Sequence, residues 1–339
     1  MQAVLHTGLC ALLQPGWLLQ GPKRGLIAAL PMCPLGLEFC MTDHTALEIQ
    51  RIAPRSSDLG EGLMVARTLP SRARRMVGAW CFLDHIGPTH FADGQGLHVG
   101  AHPHTRLQTF TWMIEGEILH RDSLGNEQVI RPGQVNLMTA GHGISHTEDS
   151  AQPGQRLHAA QLWIALPDAV AECPPDFAHY PDLPQWNDAQ APAVRCALMA
   201  GQYAGHTAPT AVHSPLLGLE LRNTGSTPVT VALALAPGFE HGLMALEGGF
   251  TLAGQDFAMD ELAYVAPGPD QAALQLAPGA RVLLLGGTPL GEAVTMWWNF
   301  VGPDLASIRG YRAEWEAASP RFGSVPGGEG RRIAAPALP

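Results

Sequence analysis

The sequence predicts an all-β protein of two tandem β-barrels followed by a short C-terminal helix. Short segments rich in β-branched and aromatic residues recur along the chain and end at turn-forming residues. Glycine and proline, with 38 and 29 of 339 residues, supply many turns without reaching the share typical of low-complexity sequence. One of these segments is echoed 132 residues later, which predicts a duplicated barrel.

Composition excludes several classes of protein. Hydrophobic residues make up 46% of the chain, charged residues only 15%, and the formal net charge is -10. This profile is typical of a compact globular protein and disfavours nucleic acid as a direct ligand. No apolar run reaches the roughly 18 residues of a membrane-spanning helix, and six cysteines without a CxxC motif favour a reducing compartment. We therefore expect a cytoplasmic protein that binds neither nucleic acid nor a membrane.

Residues 1–40 differ from the rest of the chain. They are apolar, contain four prolines, and show neither helical nor alternating periodicity. Their basic residues, Lys23 and Arg24, lie in the middle of the segment, whereas a secretory signal carries them at its start. We interpret residues 1–40 as a disordered extension, or as sequence upstream of a true start at Met41.

The strands follow in order from residue 107. Residues 107–114 are β-branched and aromatic and meet a turn at Glu115-Gly116, which is the profile of a half-buried strand. Near the other end, Pro303-Asp304 opens a segment that predicts the helix. Its apolar face comprises Leu305, Ile308, Tyr311 and Trp315. Further strands are predicted at 117–121, 135–139, 144–148, 157–166, 216–222, 229–235, 242–246, 250–252 and 281–285.

The internal repeat defines the domains. Residues 112–116 are echoed by 244–248, and Pro132-Gly133 by Pro267-Gly268, at offsets of 132 and 135 residues. Two copies of one barrel explain both echoes. The predicted organisation is a first barrel at 41–166, a linker at 167–192, a second barrel with the helix at 193–325, and a flexible tail at 326–339.

Two short motifs predict a metal site in the first barrel. His102 and His104 are two residues apart, so on a strand both imidazoles point to the same face. His146 and Glu148 repeat this spacing. If the two strands face each other, three imidazole nitrogens and one carboxylate converge, a set suited to Fe(II) and also to Mn, Co, Ni, Cu or Zn. Chance alone gives about 0.7 HxH triplets in this chain, so the surrounding glycines, turns and strands carry the argument.

The segments around these motifs resemble the pirin branch of the cupin superfamily. The resemblance implies two jelly-roll cupin barrels, one divalent transition metal, foremost Fe(II), in the N-terminal barrel, and in some members dioxygenase cleavage of the flavonol quercetin. The family's metal ligands fall on His102, His104, His146 and Glu148. The matching segments are 102–117 (HPHTRLQTFTWMIEGE), 120–125 (HRDSLG), 130–133 (IRPG), 138–148 (MTAGHGISHTE), 74–78 (RRMVG), 82–88 (FLDHIGP), 284–287 (LLGG) and 289–292 (PLGE).

Two residues depart from the family pattern. Gln108 stands where many cupins carry a glutamate, and His142 stands where family members often carry an arginine. Both departures leave the substrate open. Of the other polar residues, we assign Asp84 and His85 to a structural turn and residues 120–122 to locking a hairpin. The Trp297-Trp298 pair is expected to pack where the C-terminal segment folds back on the barrels.

Two functions fit this sequence. The first is a quercetin 2,3-dioxygenase-like enzyme that uses O₂ and a small aromatic or enolic substrate. There the metal acts as Lewis acid and template, and Glu148 is the catalytic residue that accepts the substrate's hydroxyl proton if it loosens from the metal. The second is a metal- or redox-sensing regulatory protein without turnover, because eukaryotic pirins associate with transcription factors. In that case the partner is a protein.

The second barrel is expected to hold no metal. With the repeat offsets, His102 and His104 correspond to Ala234 and Ala236. His146 and Glu148 correspond to Arg281 and Leu283. None of these four residues is a metal ligand of the required kind.

Deleting residues 1–40 is expected to leave the melting temperature and the metal content unchanged. Without a periodic apolar face, the segment cannot bury enough area to offset an ordering cost of about 1–2 kcal/mol per residue. The measurement compares thermal unfolding and metal analysis of the full chain with those of a chain beginning at Met41. A large drop in melting temperature would show that the segment packs on the barrels.

Overall fold

The all-β prediction is confirmed by the computed structural model, which describes residues 47–58, 63–328 and 330–338. Residues 1–40 lie outside these ranges. The described residues of the first half form twelve strands. They are β1 (Ile49–Ile52), β2 (Arg55–Asp58), β3 (Met64–Leu69), β4 (Trp80–His90), β5 (His98–His104), β6 (Leu107–Glu115), β7 (Ile118–Asp122), β8 (Glu127–Ile130), β9 (Val135–Thr139), β10 (Ile144–Ser150), β11 (Arg156–Ala165) and β12 (Asp176–Tyr180).

The second half repeats this pattern and ends in the helix. Its strands are β13 (Gln185–Asn187), β14 (Val194–Ala200), β15 (Gln202–Tyr203), β16 (His206–Thr207), β17 (Leu216–Asn223), β18 (Val229–Ala234), β19 (Glu240–Glu247), β20 (Phe250–Leu252), β21 (Gln255–Phe257), β22 (Leu262–Val265), β23 (Gln271–Leu276), β24 (Arg281–Gly287), β25 (Thr295–Trp297) and β26 (Phe300–Gly302). Helix α1 is Leu305–Glu316.

The sheet topology confirms the duplication. Each barrel combines a seven-stranded and a four-stranded antiparallel sheet. In the first barrel the orders are β12-β9-β6-β11-β4-β3-β2 and β5-β10-β7-β8. In the second they are β1-β22-β19-β24-β17-β14-β13 and β18-β23-β20-β21, so almost every strand has a counterpart at the same sheet position.

The edge strands connect the two barrels. Strand β1 precedes the first barrel in sequence but pairs with β22 of the second, with Ile49 opposite Val265. The segment predicted as a linker supplies an edge strand to each large sheet, since β12 pairs with β9 and β13 with β14. The boundaries at 166, 192 and 325 stay predictions.

Side chains from both barrels share one hydrophobic core. Trp80 and Phe110 of the first barrel belong to the same buried cluster as Met199, Met244 and Leu283 of the second. The indole Nε1 of fully buried Trp80 donates to the carbonyl oxygens of Leu217 and Gly286, at 3.2 and 3.1 Å. These bonds tie β4 of the first barrel to the central strands of the second.

The predicted helix forms, capped by Asp304, whose side chain accepts from the Ser307 backbone N–H at 2.8 Å. Ile308, Tyr311 and Trp315 are buried as expected. Leu305, the fourth residue of the predicted apolar face, lies in the first turn and is 40% exposed. The expected packing of Trp297 and Trp298 is confirmed, since both lie against the cluster formed by the helix and β26. No helix among the residues described is long and apolar enough to cross a membrane.

The segment predicted as a flexible tail makes defined contacts with the first barrel. The Ile333 backbone N–H donates to the Ala101 carbonyl on β5 at 2.9 Å, and the Arg331 guanidinium binds both carboxylate oxygens of Asp149 at 2.6 and 2.9 Å. A side chain at Gly100 would stand 1.9 Å from the Arg331 carbonyl, so this approach requires glycine. The tail is therefore held against β5, the strand that carries the HxH motif.

Replacing Trp80 by Phe is expected to destabilise the protein by about 1–3 kcal/mol, because two buried carbonyls lose their donor and the smaller ring leaves a void. Urea denaturation measures this loss. Trp186→Phe is the matched control, since Trp186 is half-buried and stacks on His206 instead. Equal losses in the two variants would show that the Trp80 hydrogen bonds contribute nothing.

Candidate metal centre

The three histidines of the predicted site come together on two neighbouring strands. His102 and His104 project from the same face of β5, and His146 lies directly opposite His102 on β10. The rings of His102 and His146 are 4.3 Å apart, centre to centre. One nitrogen from each of the three lies within 4.8 Å of the others, and all three side chains are buried.

Hydrogen bonds at Nδ1 determine which nitrogen of each ring is free. The Nδ1 of His102 lies 2.9 Å from the Gly100 carbonyl, and that of His104 lies 3.1 Å from the Asn299 carbonyl. Because a carbonyl only accepts, both Nδ1 atoms carry the proton. The Nε2 atoms of these two rings therefore keep their lone pairs for a metal.

His146 is oriented by a histidine and an aspartate behind it. The Nε2 of His120 lies 3.1 Å from the Asp122 carboxylate, so this nitrogen donates and the Nδ1 of His120 accepts. The Nδ1 of His146 lies 3.3 Å from that acceptor and donates to it. The ring of His120 also stacks on Phe177, with ring centres 4.4 Å apart. The third Nε2 is thereby left unprotonated as well.

The arrangement fits a bound divalent metal. The Nε2 atoms of His104 and His146, both with lone pairs, face each other at 3.1 Å, a separation that is unfavourable without a cation between them. Burial lowers the pKa of His102 to about 4 and holds the pKa values of His104 and His146 well below the usual range. Three neutral imidazoles result, and imidazole nitrogen suits Fe, Co, Ni, Cu and Zn.

Glu148 lines the same cavity but stands apart from the three histidines. It follows a β-bulge between His146 and Glu148, and its side chain is half-buried. The group of ligand atoms within 4.8 Å of one another contains the histidines alone. Burial, with a smaller contribution from the charge of Asp149, raises the pKa of Glu148 to about 7. Its assignment as a fourth ligand stays a prediction.

The cavity over the histidines has a volume of about 280 Å³ and a mixed lining. Phe82 and Trp163 form a stacked aromatic pair with ring centres 3.9 Å apart. Arg67 also lines the cavity, and its Nε and Nη2 bind the fully buried Asp84, both at 2.6 Å. The Gln161 carbonyl oxygen accepts from Thr111 at 2.8 Å, which leaves the amide nitrogen as a donor. Trp298 and Ile333 add lining from the C-terminal segment.

Comparison with known proteins places the chain in a family. Models of the pirin domain and of the pirin C-terminal cupin domain match residues 62–164 and 224–323. The chain belongs to the pirin family. A Pseudomonas aeruginosa protein provisionally named quercetin 2,3-dioxygenase is 54% identical over 300 residues, which are 88% of this chain and 93% of that protein. A pirin-like protein of Caulobacter vibrioides is 35% identical, and the match covers 81% of this chain and 95% of that one.

Among solved structures, a quercetin 2,3-dioxygenase from Acinetobacter baumannii is similar in fold and in sequence. The TM-score is 0.82 at 46% identity, over 86% of this chain and 96% of that chain. The two barrels are therefore cupin barrels, as the resemblance implied.

Several residues of this pirin-family chain lie elsewhere than the sequence suggested. Asp84 and His85 lie in the middle of strand β4, so their assignment to a turn is wrong. Gln108 is fully buried and donates to Thr139 at 2.9 Å, and it does not line the metal cavity. His142 is also outside the cavity lining. Neither departure from the family pattern therefore lies in the wall of the pirin cavity.

The prediction that residues 120–122 lock a hairpin is confirmed, but it omitted the role of His120 in orienting His146. One carboxylate oxygen of Asp122 accepts from the backbone N–H groups of Leu124 and Asn126, at 2.9 and 3.1 Å. Burial opposes ionisation, but hydrogen bonds from His120 and Asn126 outweigh it and lower the pKa of Asp122. The contact from His120 to His146 was missed, because β7 and β10 become neighbours only in the folded sheet.

The structure corrects which residues of the second pirin barrel correspond to the metal site. The expected correspondence of His146 and Glu148 to Arg281 and Leu283 is wrong, because those residues lie on β24, the counterpart of β11. By sheet position, β18 corresponds to β5 and β23 corresponds to β10. In the second barrel Ala234 pairs with Gln271, whereas in the first barrel His102 pairs with His146. Strands β18 and β23 contain no histidine, cysteine or acidic residue. The absence of metal-ligating residues on these two strands supports the prediction of a metal-free second barrel, which stays a prediction.

We expect close to one metal ion per chain. Metal analysis of freshly purified protein measures the ratio, and the triple replacement of His102, His104 and His146 by Ala should bring it close to zero. A ratio near two that persists in part in this variant would contradict the prediction and indicate a second site.

His120→Phe is expected to weaken metal binding by about 10- to 100-fold, because the ring still stacks on Phe177 while the acceptor for His146 Nδ1 is lost. Competition with a chelator measures the affinity. His206→Phe is the matched control, since His206 stacks on Trp186 with ring centres 4.1 Å apart in the second barrel. If both variants bind metal like the parent, His120 does not orient the ligand.

Proposed function

We propose that this protein is a metal-dependent dioxygenase that acts with O₂ on a small aromatic or enolic substrate of the flavonol type. The observation that carries the proposal is a cavity with three neutral, preoriented imidazoles on one side and a stacked aromatic pair in its lining. A metal bound by the three histidines would lie beside the substrate's oxygen, and the aromatic lining would contact its ring. A cytoplasmic location remains part of the proposal.

His102, His104 and His146 would hold the metal, and Glu148 would join them as the anionic ligand. Fe(II) is the metal that the family resemblance implies, and the donor set also accepts Mn, Co, Ni, Cu or Zn. When bound, the metal supplies Lewis acidity and a template for the substrate hydroxyl and O₂.

Residues of the cavity wall orient the substrate. Phe82 and Trp163 form an aromatic wall against which a flat ring can pack, although Trp163 and the Arg67 guanidinium already lie over the Phe82 ring, 3.9 and 4.5 Å from its centre. The amide nitrogen of Gln161 is available to donate to a substrate oxygen, since Thr111 already occupies its carbonyl oxygen. Asp84 fixes the guanidinium of Arg67 through two short bonds, so the Nη1 of Arg67 is a positioned donor.

Glu148 accepts the proton of the substrate hydroxyl. Its carboxylate lines the cavity and lies on the same strand as His146, so it is close to any group bound at the histidines. No hydrogen bond or ion pair within the described chain engages this carboxylate. A base must lie within hydrogen-bond reach of the proton it removes, and this position favours Glu148.

The relatives support this function. The Pseudomonas aeruginosa protein and the Acinetobacter baumannii structure are both named as quercetin 2,3-dioxygenases, the former provisionally, at 54% and 46% identity. These matches extend over most of each chain, and the metal-binding barrel lies within them.

Glu148→Gln is expected to lower turnover of flavonols by about 10²- to 10⁴-fold or more at full metal occupancy. The reason is that the only anionic ligand and the proton acceptor are lost together. His104→Ala keeps two imidazoles and the carboxylate, and should retain a trace of activity. Oxygen uptake, measured at matched metal occupancy, compares the variants.

Glu127→Gln is the control for this experiment, since Glu127 forms a surface ion pair with Arg121. Turnover by Glu148→Gln equal to that of the parent would show that the carboxylate is not the base. Absence of turnover in the metal-loaded parent, with flavonols and with simpler enols, would instead favour the regulatory protein.

A further inference from the structure

Three arginines form one row across the large sheet of the second barrel. Arg195 on β14 lies opposite Arg222 on β17, and Arg222 lies opposite Arg281 on β24. Directly opposite residues on antiparallel strands have Cβ atoms about 4.5–5.5 Å apart and point to the same face. Like charges in such positions destabilise a sheet, so the row requires compensation.

Carboxylates neutralise the positive charge at only one end of the row. Arg281 is buried and paired with Glu220 at 2.6 Å and with Glu247 at 3.5 Å. The other oxygen of Glu220 accepts from the Trp112 indole at 2.7 Å, so both of its oxygens are engaged. Arg195 donates to the neutral side chain of Gln185 at 2.5 Å.

Arg222, at the centre of the row, has no counter-charge. It forms no hydrogen bond or ion pair with any residue in the described part of the chain, although an arginine stands on each side of it. The chain carries a formal charge of -10, so a concentration of unneutralised guanidinium groups is unusual for its surface. Two of the three positive charges are left for a ligand.

The arginines open into a cavity between the barrels. All three line a space of about 250 Å³, and the opposite wall is formed by residues of the first barrel, including Trp112 and Pro132. None of the lining residues is shared with the cavity over the metal-binding histidines. The two sites are therefore separate.

We propose that this cavity binds a small oxyanion, a phosphate or carboxylate group, through Arg195 and Arg222. A guanidinium presents parallel N–H donors that match the oxygen pairs of both groups. Arg281 and Glu220 also lie in the wall of the site, but Glu220 and Glu247 already neutralise the charge of Arg281, so the free positive charge comes from Arg195 and Arg222. The anion completes the neutralisation of the row and connects the two barrels, since Glu220 binds Trp112 across the same seam.

Isothermal titration in a buffer free of phosphate and carboxylates tests the proposal. Inorganic phosphate and succinate are titrated separately into the full-length protein, and at least one should bind with a dissociation constant in the millimolar range or tighter. The anion that binds more tightly shows whether the site prefers a phosphate or a carboxylate group. Arg222→Gln should weaken binding by about tenfold or more, whereas Arg309→Gln, which removes an exposed and unpaired arginine of helix α1, should leave it unchanged. Binding of neither anion, or equal affinities in the two variants, would overturn the proposal.

Thermal unfolding provides a second readout. At low ionic strength without added anion, Arg222→Gln should raise the melting temperature, because like-charge repulsion in the row is relieved. The bound anion should remove this advantage by stabilising the parent alone. A lower melting temperature of Arg222→Gln in anion-free buffer would show that Arg222 has a structural partner, and would contradict the proposal.

Discussion

Two imidazole lone pairs that face each other at 3.1 Å are the constraint on which the metal-binding half of the structure depends. Folding alone gains nothing from this contact, because neither Nε2 carries a proton to share. The arrangement persists because the other nitrogen of each ring is committed to an acceptor and the rings are buried. The chain thus holds an unfavourable pair in readiness for a cation, which resembles the way strain is retained at functional sites.

The acceptors that impose this arrangement come from three parts of the chain. Gly100 belongs to β5 itself, His120 comes from the neighbouring β7, and Asn299 lies just before β26. The C-terminal segment therefore belongs to the metal-binding half, although it follows the second barrel in sequence. Its cluster around Phe300 and Trp315 holds the Asn299 carbonyl in place, and Trp298 closes one side of the cavity.

The sequence was informative where a short spacing determines geometry. HxH places two side chains on one face of β5, and the similarity of residues 112–116 to 244–248 reveals the barrel repeat, so both could be predicted. The HxE spacing was less informative, because a β-bulge separates His146 from Glu148. Contacts across the sheet could not be predicted, because His120 and His146 meet through the register of β7 against β10, which no local pattern specifies. The residue correspondence that we predicted from the repeat offset was wrong for a different reason. A fixed count of residues ignores loop lengths, and it shifted the counterpart of His146 from β23 to β24.

Strand β1 has a consequence for how the chain is made. It is among the first strands to leave the ribosome, yet its partner β22 follows about 210 residues later, because Ile52 pairs with Leu262. At about 5–20 residues per second, this strand waits for on the order of 10–40 s before its sheet exists. The first barrel can close during that time, but the second cannot be completed by its own segment. The protein thus has two barrels in structure, while in biosynthesis the large sheet of the second becomes complete only after β1 and β22 have both been synthesised.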